Sequence, residues 1–239
     1  MERQGIVLLS GGIDSATALW KVKNGYGKLH TLTFTYGSKD EAVMVECTRR
    51  LSSLACAEHR LISLPWLEAF SEAAGSALVS EGKGLPAPGE EGLNSLDEAR
   101  RTAASVWVPA RNLVFLSIAA SFAESLGGDV DIITGFDREE ALTFPDNTPE
   151  FVEAVNRALE YGVLRRGIKV VAPLIHMDKV EICREALRLG VPVEFTLSCY
   201  EPSGVDSRGR PIHCGRCESC MRRRRGFRAA GEDRTVYRG

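Results

Sequence analysis

Gly5-Ile6-Val7-Leu8-Leu9-Ser10-Gly11-Gly12-Ile13-Asp14-Ser15-Ala16-Thr17-Ala18-Leu19-Trp20 is the stretch whose reading decides the fold. Its opening residues form a short apolar run, the pattern of a buried strand. Ala16 to Trp20 reads as a helix. A Gly-rich turn therefore joins a strand end to a helix start. Adjacent glycines let the backbone approach an anion closely and adopt φ > 0. The unpaired N–H groups of the first helical turn, with the helix dipole, favour that anion. The expected phosphate-binding segment is Leu9, Ser10, Gly11, Gly12, Ile13, Asp14, Ser15, Ala16, Thr17, Ala18 and Leu19, with Ser10 and Ser15 as hydroxyl donors. Asp14 repels a pyrophosphate unless it caps the helix or holds a Mg²⁺ that bridges to the phosphates.

Two common nucleotide loops are excluded. No Gly-Lys-Ser/Thr follows Gly12, and the G-x-G-x-x-G pattern is absent. Ser-Gly-Gly-x-Asp-Ser instead resembles the PP-loop of the ATP pyrophosphatases, which split ATP between its α and β phosphates. The plainer alternative is a Ser/Gly turn that only caps a helix.

The chain has 239 residues, enough for one large domain or a domain with an appendage. Its net charge of −2 gives no global drive toward nucleic acid or anionic membrane. No apolar run approaches the roughly 20 residues of a membrane helix. No signal peptide pattern opens the sequence, so a cytoplasmic protein is expected. Seven cysteines in that compartment point to metal or reduced thiols rather than disulfides.

Strand-like runs alternate with helical patterns along the chain. This predicts an α/β fold, a doubly wound, mostly parallel sheet with helices on both faces. Strands are expected at Leu29–Phe34, His59–Leu64, Asp131–Gly135 and Lys169–Leu174, and the second ends in Tyr36-Gly37. Helices are expected at Asp40–Ala55, Leu113–Leu126, Phe151–Tyr161 and Asp178–Leu189, the last stopped by Gly190. Residues 75–100 have little to bury and read as a mobile loop or lid, or a passive surface loop.

Cys214, Cys217 and Cys220 are spaced by two residues each, with Cys199 upstream. Four thiolates complete a tetrahedral Zn²⁺ site, and a closed set of that kind is structural. An iron–sulfur cluster fits the same ligands, and His213 is an alternative ligand. The division expected is a nucleotide-binding α/β domain at 1–195 and a small C-terminal zinc-bearing helical segment at 196–239. Cys47, Cys56 and Cys183 read as buried small hydrophobes. Arg222 to Arg225 reads as a solvated helix face, with phosphate or RNA contact as the alternative.

The PP-loop, Tyr36-Gly37, Val108-Pro109-Ala110-Arg111-Asn112, Thr143-Phe144-Pro145-Asp146-Asn147 and Ser198-Cys199-Tyr200…Cys214…Cys217…Cys220 occur in one order. That order resembles the 7-cyano-7-deazaguanine synthase family, especially its archaeal form, from the first strand to Arg223. The resemblance implies an ATP-dependent ligase that converts 7-carboxy-7-deazaguanine and ammonia into the nitrile, for queuosine or archaeosine in tRNA. It implies ATP, Mg²⁺ and a structural Zn²⁺, a homodimer, and no stable nucleic-acid or membrane partner. Transfer of AMP makes a poor carboxylate electrophile reactive; ammonia then gives an amide, and a second adenylation gives the nitrile. Carried onto this chain, the catalytic residues are Asp14, Ser15, Arg111 and Lys179. The substrate residues are Tyr36, Phe136, Phe144, Pro145 and Asp146, and the zinc ligands are the four cysteines. The chain departs from the family at Ser38-Lys39-Asp40, where Gln and a basic residue are usual. A related enzyme that activates the same type of carboxylate, or a tRNA base, for another acceptor (amidation, thiolation or conjugation) is the alternative.

Overall fold

A computed structural model describes residues 3–80, 82–87 and 95–238. Five parallel strands form one sheet in the order β3-β2-β1-β4-β5: β1 Gln4–Leu8, β2 Lys28–Thr35, β3 Glu58–Ser63, β4 Val130–Ile133 and β5 Ile168–Val171. Strand alternation sends successive side chains to opposite faces. Ile6, Leu32, Phe34, Ile132 and Val170 enter one core, and Val7, Leu9 and Ile133 enter the other. The first core is closed by α3 Pro65–Ala73, α5 Arg111–Leu126 and α6 Pro149–Gly162. The second is closed by α1 Ile13–Val22, α2 Glu41–Leu54, α7 Lys179–Arg188 and α8 Glu218–Ala230. The sheet is therefore doubly wound. Its strand order reverses between β1 and β4, and open α/β sheets bind ligands in the crevice at the carboxyl ends of such strands.

Several local readings shift. Pro65, next after the expected strand His59–Leu64, is the first residue of α3, where its missing N–H costs nothing. The expected loop at 75–100 is only partly a loop. Ser95 caps α4 (Leu96–Ser105) by accepting from Glu98 N at 3.3 Å. Residues 82–87 are anchored: Lys39 Nζ donates to Lys83 O at 2.9 Å, and Leu85 packs on the first core. The tip of the expected lid, at 81 and 88–94, lies outside the described residues.

The C-terminal segment shares the main core. Phe227 of α8 is fully buried among Ile13, Ile182, Cys183 and Val193. A short pair, β6 Ile212–His213 with β7 Val236–Tyr237, closes the segment. Cys47 and Cys183 are buried as expected, but Cys56 is exposed, because it leaves α2 with φ 54° in a turn. The Arg222–Arg225 run is not a solvated face: Arg223 is 1% exposed. Its guanidinium donates to Val193 O at 2.8 Å, Thr196 Oγ1 at 2.8 Å, Ser198 Oγ at 3.2 Å and Thr235 Oγ1 at 2.8 Å. A buried guanidinium needs that many acceptors. It clamps the chain that leads into Cys199.

Candidate active site

The loop at the end of β1 is built as its sequence predicts. Gly11 has φ +79°, and Gly12 is the N-cap of α1 with no side-chain cap bond, so the first-turn N–H groups are left without one. Ser10 Oγ and Ser15 Oγ lie 3.1 Å apart, and Ser15 Oγ donates to Gly12 O at 3.2 Å. Ile13, Ala16, Ala18 and Leu19 are buried beneath the loop in the second core, beside Leu9 of β1. Thr17 is spent on α1 itself, donating to Ile13 O at 2.7 Å. Of this loop, Ile13 and Asp14 line the crevice and Ser10 is exposed, while Ser15, Leu9 and Ala16–Leu19 are buried.

Asp14 does not cap the helix. Its Oδ1 accepts from Lys179 Nζ at 2.6 Å. Lys179 is the first residue of α7, held in place by a capping box between Asp178 and Glu181. Its buried ammonium also donates to Asp137 Oδ2 at 3.1 Å, and Glu140 Oε1 lies 3.9 Å away. Oxygens of Asp14, Asp137 and Glu140 all lie within 4.8 Å of one another. Asp137 is fixed in turn, since its Oδ1 accepts from the N–H groups of Glu139 and Glu140 at 2.9 Å each. Burial raises the Asp14 carboxyl against the pull of Lys179, and Asp137 raises it further. Desolvation, then Asp137, pushes Glu140 up to about 8. Burial alone disfavours the Lys179 charge, but Asp137, Asp14 and Glu140 together raise its pKa well above the usual value.

Asp137, Glu139 and Glu140 are absent from the sequence-based assignment. The available signal was three acidic residues within seven positions of a strand end; the strand order that makes this end the crevice was not legible. Gly135 was missed for the same reason. A Cβ there would stand 2.7 Å from Ser15 N and 2.9 Å from Ser15 Cα.

The expected substrate residues divide. Phe144 lines a cleft with Asp14, Lys179, Glu140, Ser198, Tyr200, Glu218 and Arg222. Its ring stacks on Trp107 at 6.2 Å and 13°. Tyr36 is 8% exposed, and its hydroxyl accepts from Arg111 Nη1 at 3.3 Å. Burial works against the Arg111 charge, but Tyr36, Asp146 and Glu140 outweigh it. Phe136 is a core residue, edge-on to Phe151 at 6.2 Å. Pro145 and Asp146 form a 3₁₀ turn, where Asp146 Oδ1 accepts from Asn147 Nδ2 at 3.2 Å. Neither lines the cleft. The departure after Gly37 is accommodated by Glu41, whose Oε2 accepts from Tyr36 N at 2.9 Å and Gly37 N at 2.7 Å.

Sulfur atoms of Cys199, Cys214, Cys217 and Cys220 lie within 4.8 Å of one another. Cys214 and Cys220 are 3.9 Å apart, close to the roughly 3.8 Å edge of a tetrahedron with 2.3 Å metal–sulfur bonds. Backbone N–H groups of Cys214, Cys217 and Glu201 donate to these sulfurs. His213 is not a ligand: Nε2 accepts from Ser198 N at 3.1 Å and Nδ1 donates to Pro211 O at 3.2 Å. Burial, then Arg223, lowers its pKa to about 3 and keeps it neutral. The cluster stands behind the cleft, and Glu139 ties the two together. Its carboxylate accepts from Arg222 and Arg225 of α8 and from Lys179 N of α7. Those arginines hold it ionised against its burial.

A family model described as queuosine biosynthesis protein QueC matches residues 4–231. The 7-cyano-7-deazaguanine synthase of Pyrococcus horikoshii is 49% identical over 236 residues, covering 98% of this chain and 97% of that protein. The enzyme of the same name from Methanothermobacter thermautotrophicus is 44% identical, covering 98% and 99%. Among solved structures, a 4-thiouridine synthetase–RNA complex with bound ATP is a remote match, with TM-score 0.47 and 20% identity over 82% of this chain and 43% of that one. Over nearly its whole length, this chain belongs to the QueC family.

Proposed function

We propose that this protein is an ATP-dependent C–N ligase that converts 7-carboxy-7-deazaguanine and ammonia into 7-cyano-7-deazaguanine, a queuosine or archaeosine precursor. The observation that carries the reading is the Asp14–Lys179 pair at the strand-order reversal, beside an uncapped helix start, in a chain matched end to end by synthases of that name. Ser10 to Ser15 hold the pyrophosphate of ATP through backbone N–H groups and two hydroxyls. Lys179 stands where negative charge accumulates on the phosphates, and its buried setting strengthens that interaction. Arg111 adds a fixed positive charge at the Tyr36 side of the crevice.

Asp14, Asp137 and Glu140 supply hard oxygen donors of the kind Mg²⁺ takes, and they are the residues that would hold it. Bound Mg²⁺ neutralises phosphate charge. The four cysteines suit Zn²⁺, whose role here is structural because no coordination position is left open. Phe144 offers an aromatic face to the substrate base. Because α7, α8 and the thiol segment wall off the cleft, they limit water around the activated carboxylate. The family resemblance favours a cytoplasmic homodimer, and the near-neutral charge disfavours a stable nucleic-acid or membrane partner. Among the described residues, no helix is long and apolar enough to cross a membrane.

The test is AMP release with Mg-ATP, ammonium and 7-carboxy-7-deazaguanine, with mass detection of the base. The expected result is AMP together with the nitrile, and loss of both in Asp14→Ala. AMP without nitrile would point to an enzyme that passes the activated carboxylate to another acceptor. An Asp14→Ala protein with normal turnover would remove Asp14 from the mechanism.

A further inference from the structure

Glu218 lines the cleft, and the reaction proposed above gives it no role. It opens α8, directly after Cys217, and is 8% exposed. Its backbone N–H donates to Pro86 O at 3.1 Å, which fixes the helix start. Arg222 donates Nε and Nη2 to the same oxygen, Oε1, both at 2.7 Å. A carboxylate offers about four acceptor positions. Arg222 takes two, both on Oε1. Both of these contacts leave Oε2 aside, on a side chain that lines the cleft. A carboxylate on a cleft wall with acceptor positions beyond those that Arg222 takes can accept from a ligand.

The wall around it has a direction. Lys179 N meets Glu139, Glu139 meets Arg222, and Arg222 meets Glu218. This chain of contacts runs from the phosphate end of the cleft to the zinc segment. Phe144 and Tyr200 line the space between. A base whose reacting group lies at Lys179 therefore presents its far edge to Glu218.

We propose that Glu218 is a specificity-determining binding residue that accepts from the N1–H and exocyclic amine of a guanine-type base. The assignment rests on the reaction proposed above and deepens it. A guanine-type edge offers two donors to the carboxylate. An adenine-type edge turns an acceptor toward it and is repelled. Arg222 holds the carboxylate in position, and the zinc segment carries both, so the thiol cluster shapes the recognition wall.

The experiment measures equilibrium binding of 7-carboxy-7-deazaguanine and of the same base lacking its 2-amino group, to wild type and Glu218→Gln, with zinc content as the folding control. Wild type is expected to prefer the amino base by about tenfold to a hundredfold, and E218Q to lose most of that preference. E218Q that keeps zinc and the full preference overturns the assignment, as does wild type that binds the two bases equally or binds neither. Should E218Q lose zinc, Glu218→Asp takes its place, with a reduced preference expected and an unchanged one overturning the assignment. Because binding is read without turnover, a protein that discriminates the bases yet releases no AMP sinks the proposed reaction and leaves the Glu218 assignment standing.

Discussion

Gly135 is the residue against which the phosphate loop is set. It lies two residues beyond the end of β4 at the switch point, and the backbone of Asp14 and Ser15 passes directly over it. An added methyl would meet backbone atoms of the first turn of α1, not a flexible side-chain tip that could move aside. Gly135→Ala is therefore expected to displace the loop. Overpacking of this kind costs about 1–3 kcal/mol, and misplacement of a substrate-positioning loop by about 1 Å lowers rates by about a hundredfold. Denaturant midpoints and AMP-release kinetics check both. A variant with unchanged kcat would show that the loop tolerates the shift. Lys179 illustrates a related point. Its burial is sustained only by the carboxylates around it, so the cluster stands or falls as a unit.

At the scale of elements, the decisive one is α8 with the thiols that precede it. The loop from Glu201 to His213 brings no apolar residue into the two main cores. Its order comes from the Asp206–Arg210 pair, from backbone bonds such as Ser203 N to Ile212 O, from the β6–β7 pair and from the sulfur cluster. Cys217→Ser is expected to lose the metal and to lower stability, since metal binding and local folding are coupled. Metal analysis with thermal unfolding decides this. Cys56→Ser is the control: its exposed thiol lies outside the cluster, and metal content should not change. A Cys217→Ser protein that keeps one metal per chain and its stability would show the cluster to be misassigned.

For the whole molecule, Phe227 decides whether the thiol segment is an appendage. It is buried in the core that α1 and α7 share, one helical turn beyond Arg223. Phe227→Ala should cost about 3–5 kcal/mol. The loss should appear in a single transition for the whole chain, because the cavity opens beside Ile13 and Ile182 rather than in a separate lobe. Urea unfolding followed by far-ultraviolet circular dichroism and by tryptophan fluorescence tests this, since Trp20 and Trp107 lie in the α/β part. Two separate transitions would instead make 196–239 a unit of its own.

Much of this was written in local sequence. The strand–loop–helix of Gly5 to Trp20, the parallel α/β alternation and the four thiols follow from periodicity, glycine placement and spacing, which are short-range properties. Arg222 to Arg225 shows where that legibility ends. Four consecutive arginines look solvated, yet helical geometry turns Arg223 inward to a set of acceptors that only the folded chain assembles. The same holds for Asp137 and Glu140, which meet Asp14 from more than 120 residues away. Phe136 packs in the core against Phe151, and Asp146 sits in a 3₁₀ turn beside Asn147, its charge acting on Arg111. The sequence by itself determined the fold class, the glycine-rich loop between β1 and α1 and the grouping of four thiols, because each depends on neighbours along the chain. The tertiary structure decided which charges are buried together and which residues face the cleft, because burial and electrostatic pairing depend on neighbours in space.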